Sequence, residues 1–191
     1  MALLILGLVI FVVTHQIPTR PALRDAMSDK LGAIGYRVAF SIVSLLGFAL
    51  IVIGYGAARE AGPIVLYDPP LALRHPVMLL VAIAFVLLAA SIFPGKIAEK
   101  VKHPMVTAVK VWALAHLLVN GDLPSVLLFG TLLAWAVFDR ISLKRRVAAG
   151  TASISTGPLR NDAIAVVVGL GAYGLFVWTL HEMLIGVPIL A

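Results

Sequence analysis

Two stretches of this chain, residues 38–58 and 76–95, contain no charged side chain at all. An apolar helix of about 20 residues is long enough to cross the roughly 30 Å hydrocarbon core of a bilayer. A soluble domain is about 25% charged, whereas only 13% of these 191 residues are charged and 61% are hydrophobic. Much of the exterior must therefore face lipid, and the chain is predicted to be an integral membrane protein.

The apolar pattern predicts an all-α fold, a polytopic integral membrane helical bundle with about six transmembrane helices. The fourth and fifth segments are short, and the tight connection between them predicts a helical hairpin. Because nearly all the length lies in or beside these segments, a single membrane domain over residues 1–191 is expected. The predicted spans cover residues 2–16, 38–58, 76–95, 105–119, 123–138 and 163–180.

The basic residues predict the orientation of these spans. Twelve of the fifteen Lys and Arg fall beside loops 1–2, 3–4 and 5–6, and only Arg59 and Arg74 fall in loop 2–3. The positive-inside rule then places both termini in the periplasm of a bacterial inner membrane. Since these charges anchor helix ends next to lipid, the net charge of +6 does not indicate a nucleic-acid partner. The absence of cysteine excludes disulfides and thiolate ligands.

Ionisable residues at membrane depth are costly and usually face the interior of a bundle. The fourth predicted span carries polar groups on two sides, which suits a central helix. His103, Thr107 and Lys110 share one stripe, and Trp112, His116 and Asn120 share another at spacing i, i+4, i+8.

Two histidines on different predicted spans, His15 and His116, suggest a haem site. Neutral imidazoles are suitable axial ligands, and a membrane bundle offers the apolar slot that a porphyrin needs. From the rise of 1.5 Å per residue, the two differ in depth by roughly 10 Å, which helix tilt can close. The alternative is that both histidines only hydrogen-bond to neighbours. His75 and His181 are expected at the outer boundary, and Asp122 is expected to cap the fifth helix.

Several short sequences resemble the NnrU family. The fourth span carries the most specific of them, HPM at 103–105 followed by WALAHLLVNGD at 112–122. The remaining stretches are His15, LR at 23–24, LG at 31–32, YR at 36–37, SLLG at 44–47, FDR at 138–140 and SLKRR at 142–146. The resemblance covers most of the chain.

This resemblance implies a bacterial inner-membrane protein associated with nitrite and nitric oxide reduction. Relatives in plants and cyanobacteria are 15-cis-zeta-carotene isomerases, which hold a haem b and isomerise a polyene bond when the iron is reduced. The histidine ligands of those isomerases match His15 and His116. The isomerases have a cysteine where Ala113 stands here, so a thiolate ligand is unavailable. They have Arg-His-Pro-Gln where this chain has KHPM at 102–105.

The residue pattern and the resemblance together predict haem b as the cofactor. His15 and His116 are the expected iron ligands, and Trp112, Asn120 and His103 are the further expected cofactor-binding residues. The leading hypothesis is a haem b protein with a role in denitrification. A haem-dependent cis–trans isomerase acting on a small hydrophobic substrate, an isoprenoid or carotenoid in the bilayer, is the first alternative. A cofactor-free membrane accessory protein is the second. Whether the protein is an enzyme stays open at this point.

Overall fold

A computed structural model describes residues 1–189, and helices account for most of that range. Its α-helices are α1 (Ala2–Gln16), α2 (Pro21–Glu60), α3 (Arg74–Ile92), α4 (Lys96–Val101), α5 (Pro104–Leu117), α6 (Leu123–Ala148), α7 (Arg160–Leu175) and α8 (His181–Ile185). Short 3₁₀ helices occupy Ile17–Thr19 and Leu71–Leu73, and a π-helix, Phe176–Leu180, joins α7 to α8. Within residues 1–189 there is no β-strand, and one isolated bridge pairs Val65 with Asp122. The predicted all-α fold is confirmed.

Within residues 1–189, five helical segments are long and apolar enough to cross a membrane, which confirms a multi-pass protein. They are Ala2–Thr19, Pro21–Glu60, Leu71–Ile92, Leu123–Ala148 and Arg160–Ile185. The predicted fourth span corresponds to α5, which has 14 residues. At 1.5 Å per residue it is about 21 Å long, shorter than the hydrocarbon core. It is therefore an apolar helix of less than full spanning length.

Two regions that the sequence analysis assigned to loops are helical. The first predicted loop forms the start of α2, whose 40 residues are interrupted by non-helical torsions at Gly32, with φ 74° and ψ 156°. A positive φ of this kind is accessible to glycine without steric cost. Later in the chain, α6 runs past Phe138 through the basic run to Ala148. Leu, Lys and Arg are good helix formers, so these helices continue beyond their apolar portions.

The chain divides into two compact units, and the first comprises Met1–Leu66 and Asp122–Thr131. In this unit α1 packs against α2 through glycines that allow close approach of the two backbones. A Cβ on Gly7 would lie 2.6 Å from the backbone nitrogen of Ile51, and one on Gly54 would overlap the backbone of Leu4. These pairs run in opposite directions along the two helices, so α1 and α2 are antiparallel.

The first unit also contains the start of α6, which is joined to α2 by a buried polar chain. The hydroxyls of Tyr55 and Ser125 are hydrogen-bonded at 2.9 Å, and the Ser125 hydroxyl donates to Oδ2 of Asp122 at 2.9 Å. Oδ1 of Asp122 accepts the backbone N–H of Ser125 at 2.9 Å. The prediction that Asp122 caps this helix is therefore confirmed.

The second unit comprises Tyr67–Gly121 and Leu132–Ala191, and in its described part α3 packs against both α5 and α7. A Cβ on Gly169 would lie 2.6 Å from the Cα of Val86, so α3 and α7 also meet at a glycine. The carboxylate of Asp162, which is 9% exposed, accepts the backbone N–H groups of Lys96 and Ile97 at 3.0 Å each. These are donors of the first turn of α4, which have no partner inside their own helix.

Candidate functional site

His15 lies in the last turn of α1, among aromatic rings of the first unit. Its Nδ1 is 2.8 Å from the carbonyl oxygen of Phe11. The ring of Phe11 stacks on the imidazole with the centroids 3.9 Å apart, and the ring of Phe40 meets it edge-on at 5.3 Å. The imidazole is therefore fixed by one backbone hydrogen bond and two aromatic neighbours.

His116 lies in the last turn of α5, in the second unit, and its local arrangement matches that of His15. Its Nδ1 is 2.9 Å from the carbonyl oxygen of Trp112, four residues earlier. The ring of Trp112 lies 4.9 Å from the imidazole, centroid to centroid. The side chain of Asn120 donates to the carbonyl oxygen of His116 at 2.9 Å. The predicted stripe of Trp112, His116 and Asn120 is thus a continuous series of i, i+4 contacts.

These hydrogen bonds determine which ring nitrogen of each histidine carries the proton. A carbonyl oxygen can only accept, so Nδ1 of His15 and Nδ1 of His116 must each carry a hydrogen. In the neutral imidazole the lone pair is then on Nε2. A histidine that binds a metal through one nitrogen commonly donates from the other to a backbone carbonyl. Both side chains therefore have the tautomer that suits Nε2 ligation.

The carboxyl-terminal end of α5 is held by a tyrosine that the sequence analysis did not single out. The hydroxyl of Tyr67 donates to the carbonyl oxygen of Leu117 and lies 2.9 Å from that of Asn120. The last carbonyls of a helix have no partner within it. Tyr67 supplies one from a segment 50 residues earlier in the chain, and it thereby fixes the turn that follows His116.

His103 lies at the opposite end of α5 from His116, so the two are not brought together. It precedes Pro104 as the N-cap residue, 13 positions before His116, which corresponds to about 20 Å along the helix. Burial lowers the pKa of His103 below its usual value, and the nearby charges of Arg140, Arg146 and Lys102 lower it further. His103 therefore belongs to a basic region and not to the surroundings of His116.

The remaining histidines differ in their surroundings. His75 is exposed at the start of α3. His181, in α8, is part-buried, and its Nδ1 donates to the carbonyl oxygen of Val187 at 2.7 Å. Among the described residues no cluster of three or more His, Cys, Asp or Glu side chains is arranged to hold a metal ion.

The sequence did not reveal the side chains that contact these sites from segments distant in the chain. Phe40 and Tyr67 carry no local pattern that separates them from other aromatic residues of an apolar chain. Asp162 carried a weak signal, because it is a carboxylate next to the start of an apolar helix. Its partners at Lys96 and Ile97 are more than 60 residues away in sequence.

The arrangement of these helices defines the class of the molecule as a multi-pass helical membrane protein, in which His15 and His116 each donate to the carbonyl oxygen four residues earlier at the end of a helix. The family model described as NnrU protein matches residues 3–189, nearly the whole chain, and the chain belongs to that family. Neither the curated proteins nor the solved structures include a significant match.

Proposed function

We propose that this NnrU-family protein binds haem b and acts in nitrite and nitric oxide reduction at the bacterial inner membrane. In this proposal the imidazoles of His15 and His116 would hold the haem iron. The observation that carries it is the common arrangement of the two side chains, since each donates from Nδ1 to the carbonyl oxygen four residues earlier. The link to nitrogen-oxide respiration comes from what the family resemblance implies.

The donor set fits haem iron. Imidazole is a common axial ligand, and a hydrogen bond from Nδ1 to a carbonyl raises the basicity of the other nitrogen and fixes the ring orientation. Aromatic rings beside His15 and His116 exclude water and provide apolar contact for a macrocycle. Bound haem would supply an iron centre for electron transfer or for binding a small nitrogen oxide.

The other residues of the α5 stripe would act by positioning. Asn120 donates to the backbone carbonyl of His116, so its effect on a ligand is transmitted through the last turn of the helix. Trp112 provides both the carbonyl that orients the imidazole and the ring beside it. His103 is too far along α5 to contact a group at His116, so we assign it no role at the iron.

The test is the haem content of the purified protein, measured from its absorption spectrum as haem per polypeptide. His15→Ala and His116→Ala should each lose most of the haem, because even changes to residues that only hydrogen-bond a metal ligand cost about 10–100-fold in metal affinity. Exposed His75→Ala is the matched control and should keep the wild-type content, and we expect the same of His181→Ala. Full haem retention in both ligand variants would remove this proposal.

The proposed role in nitrite and nitric oxide reduction needs a measurement separate from haem content. A strain lacking the protein should consume nitrite or nitric oxide more slowly, and the wild-type chain should restore the rate. The His116→Ala chain, expressed to the same level, should fail to restore it. If that variant restored the rate, the respiratory role would not depend on haem binding at His116.

A second candidate, a haem-dependent isomerase acting on an isoprenoid, is favoured by an apolar groove in the first unit. The groove has a volume of about 270 Å³ and lies between α1 and the start of α6. It is lined by Ile5, Leu8, Val9, Val12, Val13, Leu127 and Thr131. Turnover of a cis-polyene by the reduced protein would support this candidate. A protein that binds neither haem nor polyene would be a cofactor-free accessory.

A further inference from the structure

A basic cluster in the second unit contains two arginines with unused hydrogen-bond donors. We call it the Arg140–Arg146 cluster, and it also includes Lys102 and His103. Nη2 of Arg140 donates to the carbonyl oxygen of Val101, at the end of α4, at 2.9 Å. This bond ties the end of α6 to the turn between α4 and α5.

Two further donors of this cluster, one on each arginine, are buried. Among the described residues, neither Nη1 of Arg140 nor Nε of Arg146 has a hydrogen-bond partner, although both atoms are shielded from solvent. Leaving such a donor unpaired is destabilising, and more so when the group is charged. The two guanidinium groups therefore favour a further acceptor that the surrounding protein does not supply.

The charge of the cluster is also incompletely balanced. Arg146 forms an ion pair with Asp139 at 3.6 Å, a long separation, and the two side chains are 19% and 14% exposed. Lys102 is exposed and adds a third positive charge beside the α4–α5 turn. Three cations against one carboxylate give these groups a net charge of +2.

The position of the cluster on an apolar helix indicates the kind of anion that fits. α6 is one of the segments long and apolar enough to cross a membrane, and Val137, Phe138 and Ile141 of the same stretch are 42%, 54% and 46% exposed. Exposed apolar side chains on such a helix suit contact with acyl chains, so this stretch of α6 belongs beside lipid. Basic pockets beside membrane helices bind acidic lipid headgroups.

We propose that Arg140, Arg146 and Lys102 bind the phosphate of an anionic membrane lipid. Guanidinium groups bind phosphate oxygens by charge-assisted hydrogen bonds, and they do so more specifically than ammonium groups. The bond from Arg140 to Val101 holds one guanidinium in place before the lipid arrives. The lipid would then connect α6 with the α4–α5 turn. This site is independent of the proposed haem ligands.

The experiment measures thermal unfolding of the full chain in detergent during titration with phosphatidylglycerol. Phosphatidylcholine and inorganic phosphate are titrated in parallel. Phosphatidylglycerol should raise the melting temperature of the wild-type protein, whereas the other two should have little effect. Arg146→Gln should weaken the apparent affinity about tenfold or more, because it removes a charge-assisted bond.

The matched control is Arg145→Gln, which removes the same charge from the neighbouring, exposed position of the same helix. It should retain nearly the wild-type response. Arg140→Gln is a second test, but it also loses the bond to Val101, so Arg146→Gln carries the conclusion. Equal loss in the Arg145 and Arg146 variants would overturn the site in favour of general surface attraction. An equal response to phosphatidylcholine, or to inorganic phosphate, would overturn the assignment to an anionic lipid.

Discussion

Two helix contacts, one in each unit of this protein, are fixed by different means. In the first unit α1 and α2 approach at Gly7 and Gly54, where backbone meets backbone. In the second, Asp162 binds the first turn of α4 with a buried carboxylate. Lipid is as apolar as leucine, so apolar burial alone does little to hold membrane helices together. The long helices α1 and α2 are held by close backbone packing. The start of the short helix α4 is held by the bonds from Asp162 to the N–H groups of Lys96 and Ile97, which we call the polar clamp.

The largest expected effect tests the glycine contacts. Gly54→Ala should destabilise the protein by about 1–3 kcal/mol or more, because the new Cβ overlaps the backbone of Leu4 and the helices must separate. Gly56→Ala is the matched control, since a Cβ there meets nothing within 4 Å. That variant should be neutral or should gain up to about 1 kcal/mol from helix propensity. Unfolding in detergent measures both, and equal effects would show that the close approach is unimportant.

The polar clamp of the second unit should have the next largest effect. Asp162→Ala leaves two part-buried N–H groups without their acceptor and should cost about 2–4 kcal/mol, on the scale of two hydrogen bonds to a charged group. Asp162→Asn, which keeps one acceptor oxygen, should fall between the wild type and Asp162→Ala in the same unfolding assay.

Asp25→Ala is the control for this prediction. Asp25 is an exposed carboxylate whose bond is to its neighbour Arg24, and exposed pairs contribute about 0–1 kcal/mol. If Asp25→Ala and Asp162→Ala lowered the free energy of unfolding equally, the loss would come from removing a negative charge. The bonds of Asp162 to α4 would then contribute nothing specific.

The smallest expected effect is a dependence of the protein's stability on pH through the protonation of His103. Its pKa is lowered in the folded protein by burial and by Arg140, Arg146 and Lys102, so protonation favours the unfolded chain. The stability from neutral His103 is complete above the unfolded pKa of about 6.5 and is lost as pH falls toward the lower folded pKa. The melting temperature of the wild type should therefore drop more between pH 7.5 and 5 than that of His103→Gln. Parallel curves for the two proteins would contradict this prediction.

The sequence predicts those contacts that form between residues of a single helix or at its end. The spacing of Trp112, His116 and Asn120 was enough to place them on one stripe, and a carboxylate before an apolar run was enough to predict the cap at Asp122. Spacing alone did not predict that the side chain of Asn120 donates to the carbonyl oxygen of His116. In that position it satisfies a carbonyl of the last turn of α5.

Contacts between distant segments could not be predicted in the same way. Periodicity states which face of a helix is apolar, but it does not state which helix covers that face. The bond from Tyr67 to the end of α5, 50 residues away, has no local signature. The same holds for the bond from Arg140 to Val101, which spans 39 residues. Helix ends were also misplaced, because good helix formers such as Leu143 and Lys144 extend α6 beyond its apolar part.

The bond between Tyr55 and Ser125 has a consequence for how the protein is made. The two residues are 70 positions apart, and a ribosome adds about 5–20 residues per second. For about 4 to 14 seconds, the first helical pair therefore exists without the segment that completes its unit. Throughout that interval the Tyr55 hydroxyl must find another acceptor, either in the insertion machinery or in water at the bilayer surface. Biogenesis thus requires the α1–α2 pair to persist on its own while the following helices are synthesised.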